Sequence, residues 1–123
     1  MFIRKFEECE EFTAGDNSVL REFLHPDKQE INIRYSLAHA VVGPGKVSLP
    51  HKLTASEVYY IIRGEGIMHI GDESGTVVER CAIYIPPGAV QYIENTGKKD
   101  LEFICIVDPA WRAEYEEVTG FPR

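Results

Sequence analysis

Two residues that can do chemistry, His51 and Glu57, stand six positions apart at the head of an apolar run, Val58 to Ile62. The run is preceded by a turn, Gly43-Pro44-Gly45, and ends at Gly64-Glu65-Gly66. A second block repeats the plan: an apolar run from Cys81 leads into Pro86-Pro87-Gly88, then Gln91 and Asn95. On a strand, alternate residues share a face, so Glu57, Tyr59 and Ile61 point one way and Val58, Tyr60 and Ile62 the other. A carboxylate that faces the core of a protein needs a partner or becomes neutral. Imidazole, carboxyl and phenol are the groups that move protons or hold a cation.

The two blocks resemble the paired motifs of the cupin superfamily, Gly-x5-His-x-His-x3/4-Glu-x6-Gly followed by Gly-x5-Pro-x-Gly-x2-His-x3-Asn. In the first block, residues 45–64, Gly45, His51, Glu57 and Gly64 match, and Leu53 stands where the second His belongs. In the second, residues 80–95, Pro86, Gly88 and Asn95 match, while Arg80 replaces the Gly and Gln91 the His. The resemblance implies a small single-domain conserved-barrel cupin over residues 1–123 with a degenerate metal-ligand set. Its fold would be all-β, a double-stranded β-helix or jelly-roll barrel. The same resemblance places His51 and Gln91 on strands beside Glu57 and Tyr59, all facing one cavity. His51, Glu57 and Gln91 are then what remains of the metal ligands, and His51, Glu57 and Tyr59 are the candidates for catalysis. Fe, Mn, Ni, Zn or Co would be the divalent occupant, weakly held, because an amide oxygen is a poor donor and Leu53 donates nothing. Tyr59 could help only as a phenolate, against an ordinary pKa of about 10.

The elements that must position these residues are short β-branched and aromatic runs separated by Gly, Pro, Asn and Asp, at the spacing of a sandwich or barrel. They cover Ile31 to Val42, Ser56 to Ile62, Gly66 to Ile70, Thr76 to Glu79, Ala82 to Ile85, Gln91 to Asn95 and Leu101 to Val107. Val19 to Leu24 is an earlier extended stretch, and Gly71 to Gly75 reads as a hairpin connection. Helix formers from Ala110 to Val118, after Pro109, predict a short C-terminal helix. Along Ser36 to Val41 the small residues Ser36, Ala38 and Ala40 are expected to line the cavity, which puts His39 outside it; the opposite phase would turn His39 inward, where it could replace a missing imidazole. His69 defaults to the surface, His25 before Pro26 to an exposed turn, and Asn95 to capping a turn.

The balance of 20 Asp+Glu against 13 Lys+Arg, a formal charge of −7, argues against nucleic acid or an anionic membrane as partner. Charge within the first residues and the lack of a ~20-residue apolar run predict no signal peptide and no spanning helix, hence a cytoplasmic protein. Cys9, Cys81 and Cys105 lack Cys-x-x-Cys spacing and fit reduced thiols. Cys105 is expected either to pack in the core or to line the cavity.

Two function classes follow. The first is a binding protein that holds a small polar or acidic metabolite between His51, Glu57, Tyr59 and Gln91. The second is an enzyme: a metal-dependent dioxygenase, lyase or isomerase, or a metal-free isomerase or epimerase working through His51 and Tyr59. Sugar-phosphate substrates would need an inward cation, and Arg34, Arg63 and Arg80 are the only nearby candidates. The apolar face Tyr35, Leu37, Val58, Tyr60 and Ile62 predicts a homodimer.

Overall fold

A computed structural model describes residues 1–122. Eleven strands follow in order: β1 (Glu11–Thr13), β2 (Val19–Leu24), β3 (Ser36–Val42), β4 (His51–Leu53), β5 (Ser56–Arg63), β6 (Glu65–Ile70), β7 (Glu73–Val78), β8 (Ala82–Ile85), β9 (Gln91–Asn95), β10 (Leu101–Asp108) and β11 (Glu116–Val118). They pair antiparallel into two sheets, ordered β1-β2-β3-β10-β5-β8 and β11-β4-β9-β6-β7. Each expected run contributes a strand, although only Ser36–Val42 of the run Ile31 to Val42 is paired in β3, and Val19–Leu24 joins the first sheet against β3. The hairpin at Gly71 is tighter than expected: Ile70 pairs with Glu73, so only Gly71 and Asp72 make the turn.

Alternation along the strands sets what each sheet turns inward. β10 buries Leu101, Phe103, Cys105 and Val107, and β9 buries Gln91, Ile93 and Asn95. From β5, Glu57, Tyr59 and Ile61 go inward while Tyr60 and Ile62 stay exposed. One end of the barrel is filled by Val42, Ile61, Met68, Ile85, Ile93, Leu101 and Phe103. Toward the other end the inward side chains of β3 shrink, from Val42 through Ala40 and Ala38 to Ser36. Small side chains there leave a cavity of about 500 Å³, which Ser36, Ala38 and Ala40 line as expected.

Two turn positions depend on backbone geometry. Arg80, in the place of a motif glycine, adopts φ +71°, the left-handed region that glycine occupies without strain. Gly66 lies so close to β9 that an added Cβ would stand 2.1 Å from the Glu94 carbonyl oxygen.

The tail corrects the expectation of a C-terminal helix. Residues 110–118 hold one 3-10 turn, Ala113–Tyr115, and then strand β11, which pairs with β4 through Glu116 and Leu53. A nine-residue helix is marginal without an apolar face to bury, whereas the open edge of β4 satisfies the backbone of β11 directly. His25 is also corrected, from exposed to buried. Its Nδ1 accepts from the Asp27 amide at 3.0 Å, so Nε2 carries the proton and donates to the Trp111 carbonyl at 2.7 Å. His39 and His69 lie outside the cavity, within hydrogen-bond distance of Glu102 (3.1 Å) and Glu94 (3.0 Å). Among the described residues no helix is long and apolar enough to cross a membrane.

Candidate functional site

β4, β5 and β9 bring His51, Glu57, Tyr59 and Gln91 together, and the pairing of His51 with Gln91 across β4 and β9 sets the register. The four are 1–6% exposed. A hydrogen-bonded chain links three of them: Tyr59 Oη donates to Gln91 Oε1 at 2.9 Å, and Gln91 Nε2 donates to Glu57 Oε1 at 2.8 Å. Gln91 stands behind the cavity wall and ties Glu57 to Tyr59, whereas His51, Glu57 and Tyr59 line the cavity itself. Glu57 Oε2 has no hydrogen-bond partner among the described residues.

Burial pushes the Glu57 carboxyl up to about 8; the charges of Asp16 and Glu116 add to this, and the Gln91 hydrogen bond opposes it. Glu57 is therefore mostly protonated at neutral pH. Burial, and next the Glu57 charge, hold the Tyr59 phenol well above its ordinary range. With its proton given to Gln91, Tyr59 is a poor acid, base or phenolate. Cys105 lines the cavity and is buried, with its thiol pushed up by burial first and then by the Glu57 and Asp16 charges. A buried thiol held in that form is a packing group.

His51 Nδ1 donates to the Leu49 carbonyl at 2.8 Å, and Asp16 Oδ2 lies 3.8 Å from the same nitrogen. A carbonyl only accepts, so the proton is on Nδ1, and Nε2, without a partner among the described residues, is the free nitrogen. Asp16 is 7% exposed and held in the turn between β1 and β2, where the Ser18 amide donates to its Oδ1 at 3.0 Å. Glu116 lines the cavity from β11; burial raises its carboxyl, the His51 charge opposes this, and the Asp16 charge adds to it.

Asp16 and Glu116 are site residues that local sequence reading does not find. Asp16 sits in Gly15-Asp16-Asn17, an ordinary turn composition, and Glu116 is one of several acidic residues of the tail. Only the packing of the first hairpin and the last strand against β4 brings them beside His51. Lys28 also lines the cavity, but its ammonium is ion-paired with Glu22, another lining residue. Arg34 pairs with Asp108 and Arg63 with Glu102, both mostly exposed, so neither offers the inward cation a phosphate would need.

This donor set does not fit a divalent metal. One imidazole nitrogen is free, and the Gln91 amide is spent between Tyr59 and Glu57. Leu53, in the place of a ligand, packs with Ala55 and Val107. Among the described residues no three His, Cys, Asp or Glu side chains converge closely enough to hold a metal ion. Asn95 is likewise structural: Nδ2 donates to the Val42 and Lys99 carbonyls at 2.9 and 2.7 Å, and Oδ1 accepts from the Gly97 amide at 2.9 Å.

Similarity to known proteins agrees with this architecture. An uncharacterised protein of Methanocaldococcus jannaschii is 35% identical over 115 residues, which cover 93% of this chain and 91% of that protein. An oxalate-binding protein of Thermotoga maritima is 35% identical over 51 residues, 42% of either chain. The Streptomyces protein PAC13, solved with uridine, superposes with a TM-score of 0.80 at 18% identity, covering 100% of this chain and 93% of that one. The family model for the cupin domain (Cupin_2) matches residues 38–107, the span from β3 through β10 that carries His51, Glu57, Tyr59 and Gln91. The chain belongs to the cupin family.

Proposed function

We propose that this cupin binds a small organic molecule in its barrel and does so without a metal ion. The observation that carries the reading is the cavity of about 500 Å³, whose walls are largely apolar and whose polar groups gather at His51, Glu57 and Asp16. Few convergent polar groups in an apolar cleft are the usual composition of a ligand site. The similarity to proteins described as oxalate-binding and as solved with uridine supports small-molecule binding by this fold, without naming the ligand here.

The test is a thermal-shift screen of acids, alcohols, amines and nucleosides, repeated on Ala38→Phe, which fills the cavity from β3. Ligands that stabilise the wild type and not the variant support the reading. A screen with no such ligand defeats it. Metal content of protein purified without chelator is expected well below one ion per chain; near-stoichiometric Fe, Mn, Ni, Zn or Co would restore the metal-dependent reading.

A second reading has its own observation: His51 Nε2 is without a partner among the described residues, in the same cavity as the Glu57 carboxyl that burial keeps protonated. The pair could run proton transfer, with Glu57 rather than Tyr59 as the acid. Turnover that survives chelation distinguishes this from binding alone. The reading also includes a homodimer formed through the exposed apolar face of β5 and β8, and a cytoplasmic protein whose three cysteines stay reduced. Its support is that face and the three free thiols.

A further inference from the structure

We infer that the polar end of the cavity recognises an uncharged amide, as in a carboxamide, lactam or imide, whose carbonyl accepts from Glu57 and whose N–H donates to His51. The inference rests on the binding reading above and narrows it.

Two polar atoms at this end are unspent. Gln91 Nε2 donates to Glu57 Oε1, so the proton that burial keeps on this carboxyl sits on Oε2, a donor without a partner among the described residues. His51 gives its Nδ1 proton to the Leu49 carbonyl, which leaves Nε2 of the neutral imidazole as an acceptor, again without a partner among them. Both residues are more than nine-tenths buried. No hydrogen bond or ion pair joins the two to each other among the described residues. Among the described residues that are not exposed, Arg4 Nε is the only side-chain N or O fully enclosed without a partner. Glu57 Oε2 and His51 Nε2 therefore keep open surface, and the space that both residues line is the cavity. One donor and one acceptor thus reach the cavity from separate strands, β5 and β4, and each is stabilised only by what enters.

An amide carries the complementary pair, an acceptor oxygen and a donor N–H on neighbouring atoms of one plane. An ester offers acceptors alone and an ammonium donors alone. Charge at this end is answered inside the chain. The Ser18 amide and hydroxyl both donate to Asp16 Oδ1, while Asp16 Oδ2 lies 3.8 Å from His51 Nδ1. The His51 charge also acts on Glu116, and Lys28 is ion-paired with Glu22. An uncharged group enters such a site without the desolvation cost of an ion. The walls fit the rest of the ligand, with Leu20, Ala38, Phe103, Val107 and Trp111 offering apolar surface to an aryl or alkyl body.

The test is isothermal titration at pH 7.5 with probes of closely similar skeleton: hydrocinnamamide, methyl hydrocinnamate, hydrocinnamate, phenethyl alcohol and phenethylamine. Hydrocinnamamide is expected to bind at least about tenfold more tightly than the ester, which lacks the N–H, and more tightly than the other three. His51→Phe should bring the amide down to the ester; should that variant fail to fold, the wild-type ratio of amide to ester carries the same point. The donor is tested by pH. Between pH 7 and pH 9 the wild type should lose up to about tenfold in affinity for the amide, as Glu57 gives up its proton around 8. Glu57→Gln, whose side-chain nitrogen donates at any pH, should show no such fall. Asp16, His51, Tyr59, Cys105 and Glu116, with the paired Glu22 and Lys28, also line this cavity and are common to both proteins, so the difference between the two profiles belongs to Glu57. Equal binding of amide and ester, tighter binding of the acid, alcohol or amine, one pH profile shared by both proteins, or no binding of any probe overturns the amide assignment. The broader reading falls separately, only when the mixed screen also yields no ligand that Ala38→Phe abolishes.

Discussion

Glu57 is a carboxyl that the fold keeps protonated. Unfolded, it loses its proton near the ordinary value of 4.5; folded, it holds it to about 8. Between those values the folded state carries one proton more, so raising the pH favours unfolding. The stability tied to this group is fully present below pH 4.5 and lost as the pH rises through 8, with a slope approaching about 1.4 kcal/mol per pH unit in between. Glu57→Gln keeps the shape without the titration, and denaturant unfolding at pH 5, 6, 7 and 8 should show a flatter dependence than the wild type. Equal slopes for both proteins would mean that Glu57 is ionised in the fold. Gln91 holds this carboxyl and the Tyr59 hydroxyl at once, through bonds of 2.8 and 2.9 Å. Gln91→Leu strands both in a buried site and should cost about 3 kcal/mol in urea unfolding. A loss below about 1 kcal/mol would show that the two groups find other partners.

At the scale of the element, departures from the cupin motifs are tolerated where backbone geometry permits. Arg80 takes the left-handed conformation that the motif assigns to glycine. Arg80→Gly is expected to stabilise the protein by about 0.5–1 kcal/mol, the left-handed strain relieved less the added freedom of the unfolded chain. Gly66→Ala is expected to do the opposite, losing at least about 2 kcal/mol, because the new methyl meets a strand backbone that cannot retreat. Unfolding midpoints of the two variants, measured side by side, check both signs. β11 shows the complementary case, where helix formers became a strand because β4 offered an unpaired edge and no apolar groove offered a helix support.

For the whole molecule, the outer face of β5 and β8 is the notable surface. Tyr60, Ile62 and Tyr84 are 44%, 45% and 63% exposed, and Val58 lies opposite Tyr84 in the register that joins them. A contiguous apolar face of this kind is what subunit contacts cover. Sedimentation equilibrium should return twice the 13.9 kDa chain mass, and Tyr60→Lys should return the single mass. A wild-type mass of 13.9 kDa at micromolar concentration would refute the dimer.

What the sequence determined by itself was the strand plan and the residues aimed into the barrel. Period-2 alternation is a local property, so the shared phase of Glu57 and Tyr59, and the small side chains of β3, could be read before any packing was known, while the inward placement of His51 and Gln91 followed from the cupin resemblance. Tertiary structure decided the rest. Asp16 and Glu116 meet His51 from opposite ends of the chain, and His25 meets Trp111 across 86 positions. No local pattern encodes such approaches, because they arise only when separate elements close on one cavity. The same closure decided the chemistry, turning Gln91 from a candidate ligand into the link between Tyr59 and Glu57 and gathering four carboxyl groups, Asp16, Glu22, Glu57 and Glu116, around one pocket.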